Sequence, residues 1–200
     1  GLDNIHPRFI KELSNEFAKP LMIIFTKSIE QRRVPNDWKK ARISAIFKKG
    51  NKTLAGNYRP VSLTSIVCKI LEKIVRDHII THLHHNNLFT SKQYGFMNGR
   101  STTLQLLRVM DEWTDALDQG ASIDCIYMDY QKAFDTVPHQ RLISKLITYG
   151  IGPGMIEWIE QDLKGRKQQV TINDACSEWK DVTSGIPQGS VLGPLLFVIS

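Results

Sequence analysis

Apolar residues recur at helical spacing along much of the chain. Over residues 7–33, Phe9, Ile10, Leu13 and Phe17, then Leu21, Ile24, Phe25 and Ile29, mark one face, which predicts helix. Proline suits a first turn and breaks an interior, so a second helix is expected to start at Pro20, and Pro35 to end it. A second amphipathic stretch, about 64–85, carries Val67, Ile70, Leu71, Ile74, Val75, Ile79 and Leu83 and stops at Asn86-Asn87. Ser101 is a cap for a helix to Gln119, with Gly120 as its stop. Helices are also expected at about 139–149 and 153–163, each bounded by glycine or proline. The period changes to two at Ala41–Phe47, where Ile43, Ala45 and Phe47 would face inward in a strand. Ser122–Asp129 reads as another strand, and Gln168–Ile172 with Glu178–Val182 as a hairpin around Asn173-Asp174. This order predicts an α+β fold with a partly antiparallel sheet.

A chain of 200 residues with 42% hydrophobic and 23% charged positions can bury a sizeable core and is not of disordered composition. No run approaches 18 apolar residues, and no basic segment leads into an apolar one at the start, so neither a membrane span nor secretion is expected. The chain lacks an initiator Met and stops inside an apolar run, so both ends look cut from something longer. Cys68, Cys125 and Cys176 are too sparse for a disulfide framework or a paired metal site and read as core residues of a reducing compartment. The formal charge of +6 permits a polyanionic partner. Its distribution says more. Lys39, Lys40, Arg42, Lys48, Lys49, Lys52 and Arg59 cluster around a hairpin-like loop, and acidic residues are nearly absent between 38 and 71. Such a cluster suits a triphosphate or a nucleic-acid backbone.

Two further segments carry candidate chemistry. Ile126-Tyr127-Met128-Asp129 reads as a buried strand ending in a carboxylate, which can bind a hard divalent cation through oxygen; a turn or capping role is the commoner fate of a lone aspartate. Asp135 can equally be a local cap. Ser184-Gly185-Ile186-Pro187-Gln188-Gly189-Ser190 brackets one glutamine with glycines and a proline before a helix, a loop that lets backbone approach a ligand closely. His78, His82 and His85 share a helical face but lack the glutamate of a zinc-protease helix, and read as surface residues.

Taken in order, Ile46-Phe47-Lys48-Lys49-Gly50, Asn57-Tyr58-Arg59-Pro60-Val61-Ser62-Leu63, Gln93-Tyr94-Gly95-Phe96, Tyr127-Met128-Asp129-Tyr130 through Phe134-Asp135, and Ser184 through Phe197 resemble the reverse transcriptase domain of non-LTR, LINE-like and Jockey-related retrotransposons over essentially the whole chain. The resemblance implies a right-hand polymerase, with fingers to about residue 120 and the front of the palm from 121 to 200. It implies RNA-templated DNA synthesis, with an RNA template, a DNA primer and dNTP as partners. Two Mg2+ or Mn2+ ions, about 3.5–4 Å apart in such sites, would be the cofactors. It assigns Asp129 as the first metal-binding aspartate, with the backbone carbonyl of Tyr130 as an added ligand. Lys48, Lys49 and Arg59 become the triphosphate grip, and Phe134 the ring that excludes a 2′-hydroxyl. Gln188 and Gly189 become the lining of the nucleotide pocket, and Arg100 a template contact. Work on chromosomal DNA would place the protein in the nucleus.

The sequence departs from this pattern in one important respect. The family's second metal motif, an aromatic-Ala-Asp-Asp hairpin, is not present, nor is a thumb, and the chain contains no Asp-Asp pair. The 200-residue piece is therefore expected to be inactive by itself. The rival reading is a non-catalytic nucleic-acid-binding remnant or domesticated copy of such a domain. Under the first reading, Asp129, Gln188 and Arg59 are expected to converge on one cleft.

Overall fold

Pro7 at the first helical position opens helix α1 (Pro7–Glu12), with the His6 ring accepting the Arg8 N–H at 3.2 Å. In the computed structural model, which describes residues 1–173 and 175–200, the first helix ends at Leu13. Helix α2 then runs from Ser14 to Glu30 with Pro20 inside it, not at its start. The ring at Pro20 leaves the Glu16 carbonyl without its helical donor, but the surrounding turn is exposed, so water can take that carbonyl and the helix continues.

The sheet is built around strand β1 (Lys40–Phe47). Strand β2 (Tyr58–Leu63) pairs with it antiparallel, from Phe47 beside Tyr58 to Arg42 beside Leu63. On the other side β3 (Lys167–Ile172) pairs parallel, from Lys40 beside Lys167 to Ser44 beside Thr171. Strands β4 (Ala175–Cys176) and β5 (Lys180–Asp181) return antiparallel onto β3, giving the order β2-β1-β3-β4 with β5 also on β3. The expected hairpin is thus present with its returning arm split in two; Asp174, in its expected turn, lies outside the described residues. On β1, Ala41 and Ile43 are buried while Ile46 and Phe47 are exposed, so the inward alternation holds only for the first half.

Four longer helices follow the expected boundaries closely. Helix α3 (Ile66–His85) is capped by Ser65, whose hydroxyl accepts the Cys68 N–H at 3.3 Å. Asp3 supports that cap, accepting from the Ile66 N–H at 2.6 Å and the Ser65 hydroxyl at 2.9 Å. Helix α4 (Thr102–Asp118) is capped by Ser101 and stops at Gly120, whose φ of +75° suits only glycine well. Helices α5 (His139–Thr148), α6 (Pro153–Leu163) and the short α7 (Gly193–Ile199) complete the set. Val75, Ile79 and Leu83 of α3 pack with Leu142 and Leu146 of α5, Trp158, Ile159 and Leu163 of α6, and Leu196 of α7 in one core. The buried Trp158 indole N–H donates to the Ser28 hydroxyl at 3.0 Å, joining α6 to α2. Among the described residues no helix is long and apolar enough to cross a membrane.

The expected strand Ser122–Asp129 does not form. Residues 121–130 take no regular structure, and Ile126, Tyr127 and Met128 are 87%, 84% and 80% exposed. Their composition favours a strand, but a strand is stable only as part of a ladder, and the sheet of β1–β5 does not include this segment. Helix α4, just upstream, has no buried residue.

Trp158→Ala should lower the unfolding free energy by about 3–5 kcal/mol, because it empties a filled core position and removes the indole's hydrogen bond to the Ser28 hydroxyl, which keeps only its bond to the Arg33 carbonyl at 2.7 Å. Urea denaturation checks this, and a loss below about 1 kcal/mol would contradict the central place given to α6.

Candidate functional site

A cavity of about 380 Å³ opens where the sheet meets the glycine-rich loop before α7; Ser62, Lys132, Asp135, Lys167 and Gln188 are among its lining residues. The loop is fixed by its backbone. Gly185 donates to the Val137 carbonyl at 3.0 Å, Ile186 to the Phe134 carbonyl at 2.8 Å, and the Gly185 carbonyl faces the His139 ring nitrogen at 2.7 Å. On the sheet side the Ser62 N–H donates to the Gln188 carbonyl at 2.6 Å. These approaches explain the glycines. A Cβ on Gly185 (φ +80°) would lie 2.6 Å from the Asp135 carbonyl oxygen, and one on Gly189 (φ +114°) 2.8 Å from that of Ser62.

Of the three residues expected to converge, Gln188 lines the cavity. Arg59 and Asp129 are not among the lining residues; Pro60, directly after Arg59, and Lys132, three residues beyond Asp129, are. Arg59 is exposed on β2 opposite Ile46, and Lys48 and Lys49 are exposed where β1 enters its turn. That turn is braced: the Tyr58 hydroxyl donates to the Lys52 carbonyl at 2.8 Å and the Asn57 amide to the Asn51 carbonyl at 2.8 Å. Asp129 and Tyr130 are exposed in the irregular segment. Phe134 is half-buried, its ring stacked on Phe197 at 4.8 Å between centroids and 16° between planes, with Phe96 edge-on at 5.9 Å. The Arg100 guanidinium is taken up by its own loop, donating to the Ser91 carbonyl at 2.7 Å and to that of Gln93, and lying 5.3 Å over the Tyr94 ring. Asp135 lines the cavity and its carbonyl accepts the Ser184 hydroxyl at 3.1 Å. Among the described residues no group of three or more His, Cys, Asp or Glu side chains could hold a metal ion. His82 instead meets the Tyr149 carbonyl at 2.8 Å.

Behind the cavity lies a set of buried charges that the periodicity reading passed over. Glu72, Asp162 and Arg166 are 0%, 4% and 3% exposed. Arg166 also lines the cavity; its Nη1 donates to Asp162 at 3.2 Å, and its Nη2 has no hydrogen-bond partner among the described residues. Glu72 accepts the backbone N–H groups of Val191 and Leu192 at 2.5 and 3.1 Å. Burial pushes the Asp162 carboxyl above its ordinary range, against the opposing pull of Arg166 and Lys39. Burial and the nearby Asp162 raise Glu72 in the same way, against the two N–H groups that favour its charged form. Burial also holds the Cys68 thiol protonated far above the usual range. The signal for Glu72 was available: with Cys68, Val75, Ile79 and Leu83 it sits on the inward stripe of α3. Of the cysteines expected in the core, only Cys68 is there; Cys125 and Cys176 are exposed.

With this geometry in hand, comparison with known proteins defines the class. Residues 46–200 match the family model described as reverse transcriptase (RNA-dependent DNA polymerase). The chain is 32% identical over 200 residues to the RNA-directed DNA polymerase from mobile element jockey of Drosophila funebris. It is 30% identical over 206 residues to the probable RNA-directed DNA polymerase from transposon BS of Drosophila melanogaster. Both alignments cover all of this chain and 22% of the relative, so the chain spans about a fifth of the curated proteins it matches. The chain belongs to the reverse transcriptase family, as the domain type carried by non-LTR retrotransposons.

Two outcomes test the burial pattern. In native protein at pH 8, a thiol reagent should label Cys125 and Cys176 and reach Cys68 only after denaturant is added. The second outcome concerns pH. A carboxyl raised on folding keeps a proton that the unfolded chain has lost, so its contribution to stability is fully present below the ordinary values of 3.8 and 4.5 and is lost as pH rises through the folded value. Denaturation midpoints of Glu72→Gln between pH 5 and 8 should therefore fall less steeply than those of the parent chain. Equal slopes would show that Glu72 does not titrate upward on folding.

Proposed function

We propose that this chain forms the fingers and front palm of an RNA-directed DNA polymerase, with residues 1–120 mainly fingers and 121–200 the front of the palm. Its substrates would be a dNTP, a DNA primer and an RNA template, and its place of work the nucleus. The observation that carries this reading is the Ser62–Gln188 hydrogen bond. It brings the strand bearing Arg59 and the Gln188-Gly189 loop to one cavity, although their positions lie far apart in sequence.

The roles divide by chemistry. Lys48, Lys49 and Arg59, flexible cations on a braced β-turn, bind the triphosphate. Gln188 lines the cavity for the incoming base, and Gly189 beside it lets the loop backbone come close to Ser62. Phe134, held by its stack on Phe197, presents a rigid ring that clashes with a 2′-hydroxyl. Arg100 orders the loop before α4, along which the template would lie. Asp129 and the Tyr130 carbonyl are hard oxygen donors of the kind Mg2+ or Mn2+ takes, and they supply a share of a two-ion donor set, not all of it. Divalent ions, when bound, would stabilise charge on the triphosphate and favour ionisation of the primer 3′-hydroxyl.

The test is primer extension on an RNA template by the intact protein. Asp129→Asn should reduce extension by about a hundredfold or more, and Phe134→Ala should admit ribonucleotides that the parent rejects. Salt-sensitive nucleic-acid binding with no Asp129-dependent extension would instead support the non-catalytic remnant.

A further inference from the structure

We propose that Glu72 is a positioning residue: from inside α3, its carboxyl group fixes the turn that presents Gln188 to the cavity. The proposal rests on the reading of that cavity as the nucleotide site.

Glu72 is wholly buried on the inward face of α3, between Cys68 and Val75. A carboxylate in such a place is unfavourable unless its oxygens are matched by donors. The donors are specific. Oε2 accepts from both Val191 and Leu192, and Oε1 lies 3.6 Å from the Cys68 sulfur. The turn does not need Glu72 to begin α7, because the Ser190 hydroxyl already accepts the Gly193 N–H at 3.0 Å. What Glu72 adds is a tether to another element. Upstream, the Gln188 carbonyl is held by the Ser62 N–H on β2. Downstream, Val191 and Leu192 are held by α3. Between these two anchors sits Gly189, with φ +114° and no side chain to pack, so the anchors set where Gln188 stands. A methionine at position 72 would fill similar space and accept neither N–H, whereas a glutamine would still offer an oxygen.

The experiment compares Glu72→Gln and Glu72→Met in the intact protein by amide hydrogen exchange and by the dNTP dependence of primer extension. Glu72→Gln should keep protection at the amides of Ser62, Val191 and Leu192 and a KM within about twofold of the parent. Glu72→Met should lose protection at those three amides while the α6 amides stay protected, and should raise the KM for dNTP roughly tenfold with kcat little changed. A structural role alone would lower the active fraction, and so kcat, without moving KM; that result, or identical behaviour of Gln and Met, overturns the proposal. If Glu72→Met does not fold, Glu72→Asp, which keeps the charge but withdraws the oxygens by one methylene, should show the same losses, and parent-like exchange and KM in it would overturn the proposal. If even the parent fails to extend a primer, the nucleotide reading falls. Exchange then decides the tether alone: loss in Met but not Gln supports it, and equal protection refutes it.

Discussion

Strands β1 and β3 run in the same direction, with Lys40 beside Lys167, and parallel strands cannot be joined by a tight turn. The chain between them, residues 48–166, has to leave the sheet and come back. It first turns back as β2, then travels through α3, α4, α5 and α6 before β3 begins. The inward faces of α3, α5 and α6 are brought together by that crossover and form the core with α7. The crossover also decides where the cavity lies. It delivers Arg166 and Lys167 next to the start of β1, while the loop before α7 comes back across Ser62 at the C-terminal end of β2, which pairs with that same end of β1. The cavity is the space that remains between them.

The same crossover explains why charges are buried. Arg166 ends the turn after α6 immediately before β3, so its side chain is enclosed by the elements it connects, and Asp162 one turn earlier is the partner within reach. Lys39, just before β1, adds a second positive charge whose own ionisation is disfavoured by burial. Removing one member of such a set leaves another uncompensated, so the group resists piecemeal change more than any exposed ion pair in the chain.

Much of the helical layer was legible because helix signals are local: the caps Ser65 and Ser101, the stops at Asn86 and Gly120, and the spacing of apolar residues in α5 and α6 all act within a few residues. Pro20 misled because proline disfavours a helix interior without forbidding it, and in this exposed turn the carbonyl it leaves without a donor can be hydrated, so the helix continues. Ser122–Asp129 misled because a strand requires a partner that local composition cannot reveal. The candidate site was legible as a set of motifs but not as a geometry. Nothing near Gln188 announces Ser62, and a glutamate in a run of Leu, Ile and Val invites the reader to treat it as solvent-facing. Arg100 looked free for a ligand because its acceptors are main-chain carbonyls, which carry no sequence signature.

The proposed site is therefore unevenly built. The Gln188 loop, the Ser62 end of β2 and the Phe134–Phe197 stack are tied into the core by hydrogen bonds and packed rings. The segment carrying Asp129 and Tyr130 has no such ties, and it presents Ile126, Tyr127 and Met128 to solvent after a helix whose Leu106, Leu107, Met110 and Leu117 are also exposed. Exposed apolar area of this kind gains free energy when covered, at about 25 cal/mol per Å². If Asp129 acts at the cavity as proposed, whatever brings it there must supply a ladder for its backbone and a cover for those side chains together, since either alone would leave buried polar groups unpaired or apolar ones wet. The proposed nucleotide contacts of the glycine loop make no such demand, because that loop is already tied to Ser62 and Glu72. On the proposed reading, recognition and chemistry thus rest on differently anchored elements, and Asp129 would depend on additional packing that the Gln188 loop does not need.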